Sequence, residues 1–376
     1  LGEVEKCAWL CDYYRENANS FLSDQAIDIS GQKSIVTIQP IGLVLGVVPW
    51  NFPFWQVFRF AIPTLTVGNG AILKHASNVQ GCAAAIEKCF KDSGFPENIF
   101  RNLVIPGTEV DKVIIHPAIV AVTITGSTPA GKSVAKAAGS VLKKTVLELG
   151  GSDPYIVLDD ANIEKAVEAC ITGRTLNAGQ SCIAAKRLIA TESVYDEFLS
   201  LLEEKLSTKI VGDPLDEVDM GPMVSVKARD EVHVQVTKSV DAGAELIMGG
   251  EIPNEIGAYY PITLLAAVKP GMAAFDEEIF GPIFAVTKAR NVEDALSLAN
   301  QTEFGLGAAV FTNDLKKGEE IAKSKLHAGA CFVNDFVKSD PRLPFGGIKD
   351  SGYGRELSSY GLMEFVNIKT VVVKKA

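Results

Sequence analysis

Three stretches of the chain hold side chains in settings that suit chemistry. In "LNAGQSCIAAKR", Cys182 follows Gly179, Gln180 and Ser181 in a polar break between apolar segments. A thiol in an accessible turn can act as a nucleophile, because it has a path to its thiolate and room for a carbonyl to approach. Cys7, Cys11, Cys82, Cys89 and Cys170 lie instead on helical patterns among apolar neighbours and read as small core residues. In "VLELGGSDP", Glu148 stands in an otherwise apolar strand. Burial would raise its pKa and suit it to general-base work, while a carboxylate satisfied by local backbone is an equal reading. In "VVPWNFPFWQVFR", Asn51 sits between two prolines and several aromatic residues, where its amide N–H can stabilise a developing oxyanion. Taken alone, such a turn is more often structural.

A fourth stretch points elsewhere. "GSTPAGKS" satisfies the phosphate-loop spacing with Gly126, Gly131, Lys132 and Ser133, and "YIVLDD" offers Asp159 or Asp160 for Mg²⁺. That combination describes a Mg-dependent nucleotide hydrolase. Pro129 counts against it, since it removes a backbone N–H where such groups should cradle phosphates. The competing reading is a strand-to-helix turn, with Gly126 at the bend and Ser127 at the helix start, still able to meet a phosphate.

The elements that must position these residues follow from the alternation of patterns. The chain has 376 residues, of which 47% are hydrophobic, enough for two or three domains with ample core. Its first residues, "LGEVEKCAWLCDYYREN", form an amphipathic helical pattern without a signal-peptide layout. From residue 34 onward, strand-like runs such as "IGLVLGVVPW", "AILKHA" and "AIVAVTITGS" alternate with helical runs such as "CAAAIEKCFKDSG" and "PAGKSVAKAAG". A second alternating block starts at "DPYIVLDD" and runs to about Asn334. Repeated strand-helix order implies parallel sheets wound with helices, which bind ligands at the carboxyl ends of their strands. The final "EFVNIKTVVVKKA" and the earlier "SIVTIQP" are β-rich and edge-like, and suit pairing with another subunit.

Net charge and cysteine usage exclude several classes of partner. A formal net charge of −10 argues against nucleic acid or an anionic membrane. No apolar run reaches the length of a membrane span. Seven cysteines without a C-x-x-C pair fit a reducing cytosol, so a cytoplasmic location is expected. The four histidines are scattered and suggest no metal site.

Together, "VVPWNFP", "LKHASN", "TGSTPAGK", "LELGGSDP", "NAGQSC", "EEIFGPI" and "LPFGGIKDSGYGRE" resemble, in order and over nearly the whole chain, the aldehyde dehydrogenases. Within that family, "HASN", "LGGSDPYIVL" and "CIAAKR" are most similar to the succinate-semialdehyde branch. The resemblance implies that Cys182 attacks the aldehyde, that Asn51 and the Cys182 N–H hold the oxyanion, and that hydride leaves to NAD or NADP. Glu148 then activates the water that hydrolyses the thioester. It further implies cofactor contacts at Pro49, Trp50, Lys74, Ser77, Gly126, Ser127, Leu149, Gly150, Glu278 and Phe280, with Glu278 on the nicotinamide ribose. Ser77 removes the negative charge that many NAD-preferring members carry there, so NADP is expected to be accepted.

For the substrate, the resemblance points to Arg59 as the residue holding a distal carboxylate, a task that suits the guanidinium fork. An Arg paired with an internal acid is the competing reading. Trp55, Phe52, Ser181 and Phe345 would line the aldehyde path, with Ser339 a weaker carboxylate contact. Ala184, two residues after Cys182, cannot form the cysteine redox lock seen in some semialdehyde enzymes. The chain also starts downstream of where relatives usually begin. The expected architecture is α/β with two wound parallel-sheet domains. Residues 1–21 and 41–150 would form the dinucleotide domain, 151–348 the catalytic domain, and 22–40 with 366–376 an oligomerisation element of a homodimer or homotetramer. Residues 349–365 would be a helix returning to the cofactor domain.

Overall fold

The computed structural model describes residues 2–30 and 32–374; Leu1, Gly31, Lys375 and Ala376, which fall within the expected 1–21, 22–40 and 366–376 segments, lie outside the described residues. The chain divides into two compact units, one of residues 1–149, 339–346 and 352–376, the other of 150–338 and 347–351. The second unit thus gives up the chain at Lys338, ten residues earlier than the expected 348.

In the first unit, helix α1 (Gly2–Phe21) precedes strands β1 (Gln25–Ile29), β2 (Gln32–Pro40) and β3 (Leu43–Val48). There follow α2 (Trp55–Thr66), β4 (Gly70–His75), α3 (Gln80–Asp92), β5 (Phe100–Asn102) and α4 (Val110–Ile115). Then come β6 (Ile119–Thr125), α5 (Thr128–Gly139) and β7 (Lys144–Glu148). β7-β6-β3-β4-β5 is a parallel run, because the helix after each strand carries the chain back to the starting edge. Leu45, Ile114, Val122, Ile124, Val134 and Leu147 form the core on one face of this sheet. From β3 the chain first proceeds to β4 and β5 on one side, then returns to β6 and β7 on the other. The switch point therefore falls between β3 and β6, where open α/β sheets place ligands.

The second unit runs β8 (Asp153–Val157), α6 (Ile163–Thr175), β9 (Ala185–Thr191), α7 (Glu192–Ser207), α8 (Val226–Asp241), β10 (Glu245–Met248) and β11 (Thr263–Ala266). It continues with α9 (Ala273–Asp276), β12 (Ile283–Ala289), α10 (Val292–Asn300), β13 (Gly307–Phe311), α11 (Leu315–Ser324) and β14 (Ala330–Val333). Its sheet has the order β10-β11-β12-β9-β8-β13-β14, parallel except for β10. β8, β9 and β13 are buried along their whole length; β13 is apolar throughout, while β8 and β9 also bury Asp153, Lys186 and Arg187.

The chain closes in the first unit with β15 (Gly352–Tyr353), α12 (Ser358–Leu362) and β16 (Val366–Val373). The helix expected over 349–365 is thus only the short α12, flanked by a 3₁₀ turn and β15. β16 finds a partner in its own chain: it lies antiparallel to β2, giving a three-stranded sheet β1-β2-β16. Among the described residues, no helix is long and apolar enough to cross a membrane.

Candidate active site

In the first unit the carboxyl edge of the sheet gathers most of the expected cofactor residues. Pro49 and Trp50 follow β3, Lys74 ends β4 with Ser77 just beyond, and Gly126 and Ser127 follow β6. They therefore flank the switch point. Lys74 is half-buried, which lowers its ammonium pKa from the ordinary value, and Ser77 is exposed. Gly126 donates its N–H to the Glu148 carbonyl at 3.0 Å. Leu149 is buried, packed against the glycine of the next helix, Gly131, where a Cβ would lie 2.4 Å from Leu149 Cδ2.

The phosphate-loop reading fails on this geometry. Ser127 is already the N-cap and α5 begins at Thr128, so Pro129 and Ala130 lie inside its first turn. Only Gly126 and Ser127 separate β6 from the helix, too few to wrap a phosphate. Lys132 and Ser133 are exposed helix residues. Asp160 is committed elsewhere: its carboxylate accepts from Thr312 Oγ1 at 2.7 Å and from the N–H groups of Asn313 and Asp314 at 3.0 Å.

Asn51 is buried on the turn between β3 and α2, and its Oδ1 accepts from Gln56 Nε2 at 3.1 Å. That bond fixes which end of the amide is the acceptor, so the NH₂ end is the donor presented by the turn. His75 braces the same turn. Its Nδ1 lies 3.0 Å from the Ala76 N–H and 3.2 Å from the Val48 carbonyl, and Nε2 lies 3.0 Å from the Pro53 carbonyl. Burial lowers the His75 pKa and favours the neutral ring, while the Pro53 and Val48 carbonyls act the other way. Neither Gln56 nor His75 stands out in the sequence; a histidine closing a strand opposite a Pro-x-x-x-Pro turn was the available signal.

Glu148 is buried at the end of β7, and neither carboxylate oxygen has a hydrogen-bond partner among the described residues. Burial raises its pKa well above the ordinary carboxylate value, and the nearby Glu356 raises it further, while Arg59 and Arg355 act in the opposite direction. A carboxyl so placed holds a proton more readily than a surface glutamate, which suits it to general-base work near neutral pH.

Arg59 has an internal partner, as its competing reading expected. It is buried on α2 with Nε 2.5 Å from Glu356 Oε2, and its guanidinium lies 4.6 Å from the centre of the Phe345 ring. Phe345 is buried beneath it, packed against the guanidinium, with N–H and C=O both bonded to Glu356. Trp55 is buried at the start of α2, and Phe52 is half-buried before it. Ser339 Oγ accepts from Trp55 Nε1 at 3.2 Å and from Lys6 Nζ at 2.8 Å.

In the second unit the nucleophile candidate lies on a strained turn. Asn177, Ala178 and Gly179 have φ of 54°, 54° and 73°, three left-handed residues in a row. Cys182 follows on a half-buried turn before β9, at the amino edge of that strand. The turn is tied down from several sides. Gln180 Oε1 accepts from Val224 N–H at 2.8 Å, and buried Lys186 donates to the carbonyls of Ser181 (2.8 Å) and Cys182 (2.7 Å). The same ammonium lies 3.1 Å from Glu278 Oε1 and 5.8 Å from the centre of the Phe280 ring. Glu278 also accepts from Gly151 N–H at 3.1 Å, and the Gly150 carbonyl accepts from Ser351 Oγ at 2.6 Å. Ser181, Cys182, Glu278, Phe280 and Gly150 thus form one connected cluster. Lys186, which the sequence reading passed over, is at its centre.

The aldehyde dehydrogenase family profile matches residues 1–371. The chain belongs to the aldehyde dehydrogenase family. Among the relatives, a protein named probable succinate-semialdehyde dehydrogenase [NADP(+)] from Synechocystis is 46% identical over 372 residues, covering 99% of this chain and 82% of that one. The Escherichia coli succinate semialdehyde dehydrogenase [NAD(P)+] Sad is 47% identical over 371 residues, 98% of this chain and 80% of that one. The succinic semialdehyde dehydrogenase of Streptococcus pyogenes, solved in complex with NADP+, superposes with a TM-score of 0.97 at 38% identity, covering 100% of this chain and 82% of that one. Family membership also settles the fold class, α/β with wound parallel sheets.

Proposed function

We propose that this chain oxidises succinate semialdehyde to succinate with NADP or NAD, through a thioester on Cys182. The observation that carries the reading is the Cys182 turn. Three consecutive left-handed residues cost about 1–3 kcal/mol each where a side chain is present, a strain that persists at sites where it serves a purpose. The substrate comes from the names of the relatives, and the cofactor from those names together with the donor set at the β3/β6 switch point. There the half-buried Lys74, the Ser77 hydroxyl and the α5 N-terminus at Ser127 suit phosphate and ribose groups.

Each protein group has a task that its own surroundings support. The Cys182 thiolate attacks the aldehyde carbon and the carbonyl oxygen becomes an oxyanion, which the Asn51 amide and the Cys182 N–H stabilise. A nicotinamide held by the residues at the β3/β6 switch point and by Glu278 would supply the hydride acceptor for this carbon. Glu148 takes a proton from the water that attacks the resulting thioester, releasing the acid and restoring the thiol. Glu278 orients the nicotinamide ribose, held in place by Lys186 and Gly151 N–H.

The test is the absorbance of reduced nicotinamide on adding succinate semialdehyde, repeated with Cys182→Ser. Turnover in the wild type and a loss of at least about a thousandfold in the variant are expected. Activity surviving the substitution would rule out the thioester route. We further propose that the β1-β2-β16 sheet is the oligomerisation element, extending across a subunit boundary through the edge of β16.

A further inference from the structure

Buried Lys186 meets the turn of Cys182 at its backbone carbonyls. We propose that Lys186 is a positioning residue for the oxyanion: by holding the Ser181 carbonyl, its ammonium aims the Cys182 N–H and strengthens it as a hydrogen-bond donor. The proposal rests on the thioester reading above, in which that N–H stabilises the oxyanion.

The first support is the peptide unit itself. The Ser181 carbonyl and the Cys182 N–H belong to one planar group, and among the described residues no peptide bond is cis, so the two bonds point in opposite directions. The Ser181 oxygen accepts from Lys186 Nζ at 2.8 Å and from Ala184 N–H at 3.2 Å. Two donors use both of its lone pairs and leave the peptide plane little freedom to turn. The N–H is thereby aimed away from the ammonium. A hydrogen bond from a charged donor is about twice as strong as a neutral one, and hydrogen bonds in a chain polarise one another. A cation that draws electron density toward the Ser181 oxygen therefore makes the Cys182 N–H the better donor.

The second support is how the ammonium is surrounded. Its three N–H bonds meet three acceptors, the Ser181 and Cys182 carbonyls and Glu278 Oε1 at 3.1 Å, which makes a buried charge tolerable. Two acids face it, Glu278 directly and Asp153 nearby. Burial raises the Asp153 pKa to about 7, with Lys186 foremost among the influences that lower it. Glu278 offsets part of the charge, but its contact is the longest of the three. The other buried cations of this unit serve the scaffold. Arg174 donates to the carbonyls of Ile283 and Ile279, and Arg187 to those of Ser152, Leu298 and Ala299. Of these three, Lys186 is the one whose hydrogen bonds end on the turn of Cys182.

The third support is the strain on that turn. Its left-handed residues at 177–179 need ties, and Gln180 supplies one through Val224 N–H. Around Cys182 the tie is Lys186, and the Cys182 carbonyl is so closely packed that a Cβ on Gly151 would lie 2.6 Å from it.

The experiment separates aiming the N–H from placing the thiol. Iodoacetamide reaches the thiolate by displacing iodide, a step with no oxyanion, so its rate at Cys182 reads the thiolate and its access alone. Rapid-quench single turnovers of labelled succinate semialdehyde read the two steps that pass through an oxyanion. Absorbance follows hydride transfer, and the label left on precipitated protein follows thioester hydrolysis. In Lys186→Met both rates are expected to fall about tenfold, less than the roughly hundredfold that follows loss of a whole oxyanion donor. Alkylation is expected to stay within about threefold of wild type. Lys186→Gln keeps a neutral donor and should lie between wild type and Met; it carries the same comparison if thermal melting shows Lys186→Met unfolded. Unchanged rates in both variants, or alkylation falling in step with turnover, would overturn the Lys186 assignment. A loss confined to hydride transfer and to the KM of the cofactor would overturn it too, because Lys186 would then act through Glu278 alone. A wild type whose turnover leaves no label on the protein, or survives Cys182→Ser, would instead overturn the thioester reading beneath it.

Discussion

Ser77 stands exposed just past the half-buried Lys74, at the carboxyl end of β4. A carboxylate at that position would repel a 2′-phosphate, and two like charges about 4 Å apart cost roughly 1 kcal/mol in water and 4 near a protein surface. Ser77→Glu is therefore expected to lower kcat/KM for NADP by about tenfold or more, with a smaller effect on NAD. Parallel initial-rate measurements with the two cofactors check this; an equal loss on both would mean that Ser77 does not face the phosphate. At this scale residue type and local context went far: Cys182 in a polar break and Glu148 in an apolar strand both have the surroundings their types suggested. Arg59 shows the limit. Its partner Glu356 is remote in the chain, and a guanidinium among aromatics looks the same whether its counter-charge is a substrate or an internal acid.

At the scale of elements, the Cys182 loop depends on Gly179. A Cβ there would face the Gly281 carbonyl oxygen at 2.2 Å, and φ is +73°. Gly179→Ala is expected to cost about 1–3 kcal/mol of stability and to displace the thiol. Thermal melting and the rate of Cys182 alkylation measure the two effects separately; an unchanged melt with full turnover would contradict the tight contact. The β/α order was legible because period-2 and period-3.6 patterns change at glycine and proline. The phosphate-loop pattern misled for a related reason. The pattern counts residues but does not say where the helix begins, and here α5 starts at Thr128 with Pro129 in its first turn.

At the scale of the whole molecule, β16 has β2 on one side, and Ile368, Val372 and Val373 are each about half exposed or more. Exposed apolar edge strands invite another chain. Light scattering after size exclusion should show a dimer or tetramer, and Ile368→Glu with Val372→Glu should shift it toward monomer; a monomeric wild type would sink the proposal. The sequence by itself determined the wound α/β class, the family, and the nucleophile, base and oxyanion candidates. These rest on patterns and side-chain chemistry carried within a few residues. Only the tertiary structure decided that Glu356 pairs with Arg59, that Glu3 and Lys6 reach the start of α2, that Lys186 ties the Cys182 turn to Glu278, and that β16 pairs with β2. Each is a meeting of segments distant along the chain, where charge, burial and hydrogen-bond partners are set by the fold rather than by neighbours in sequence.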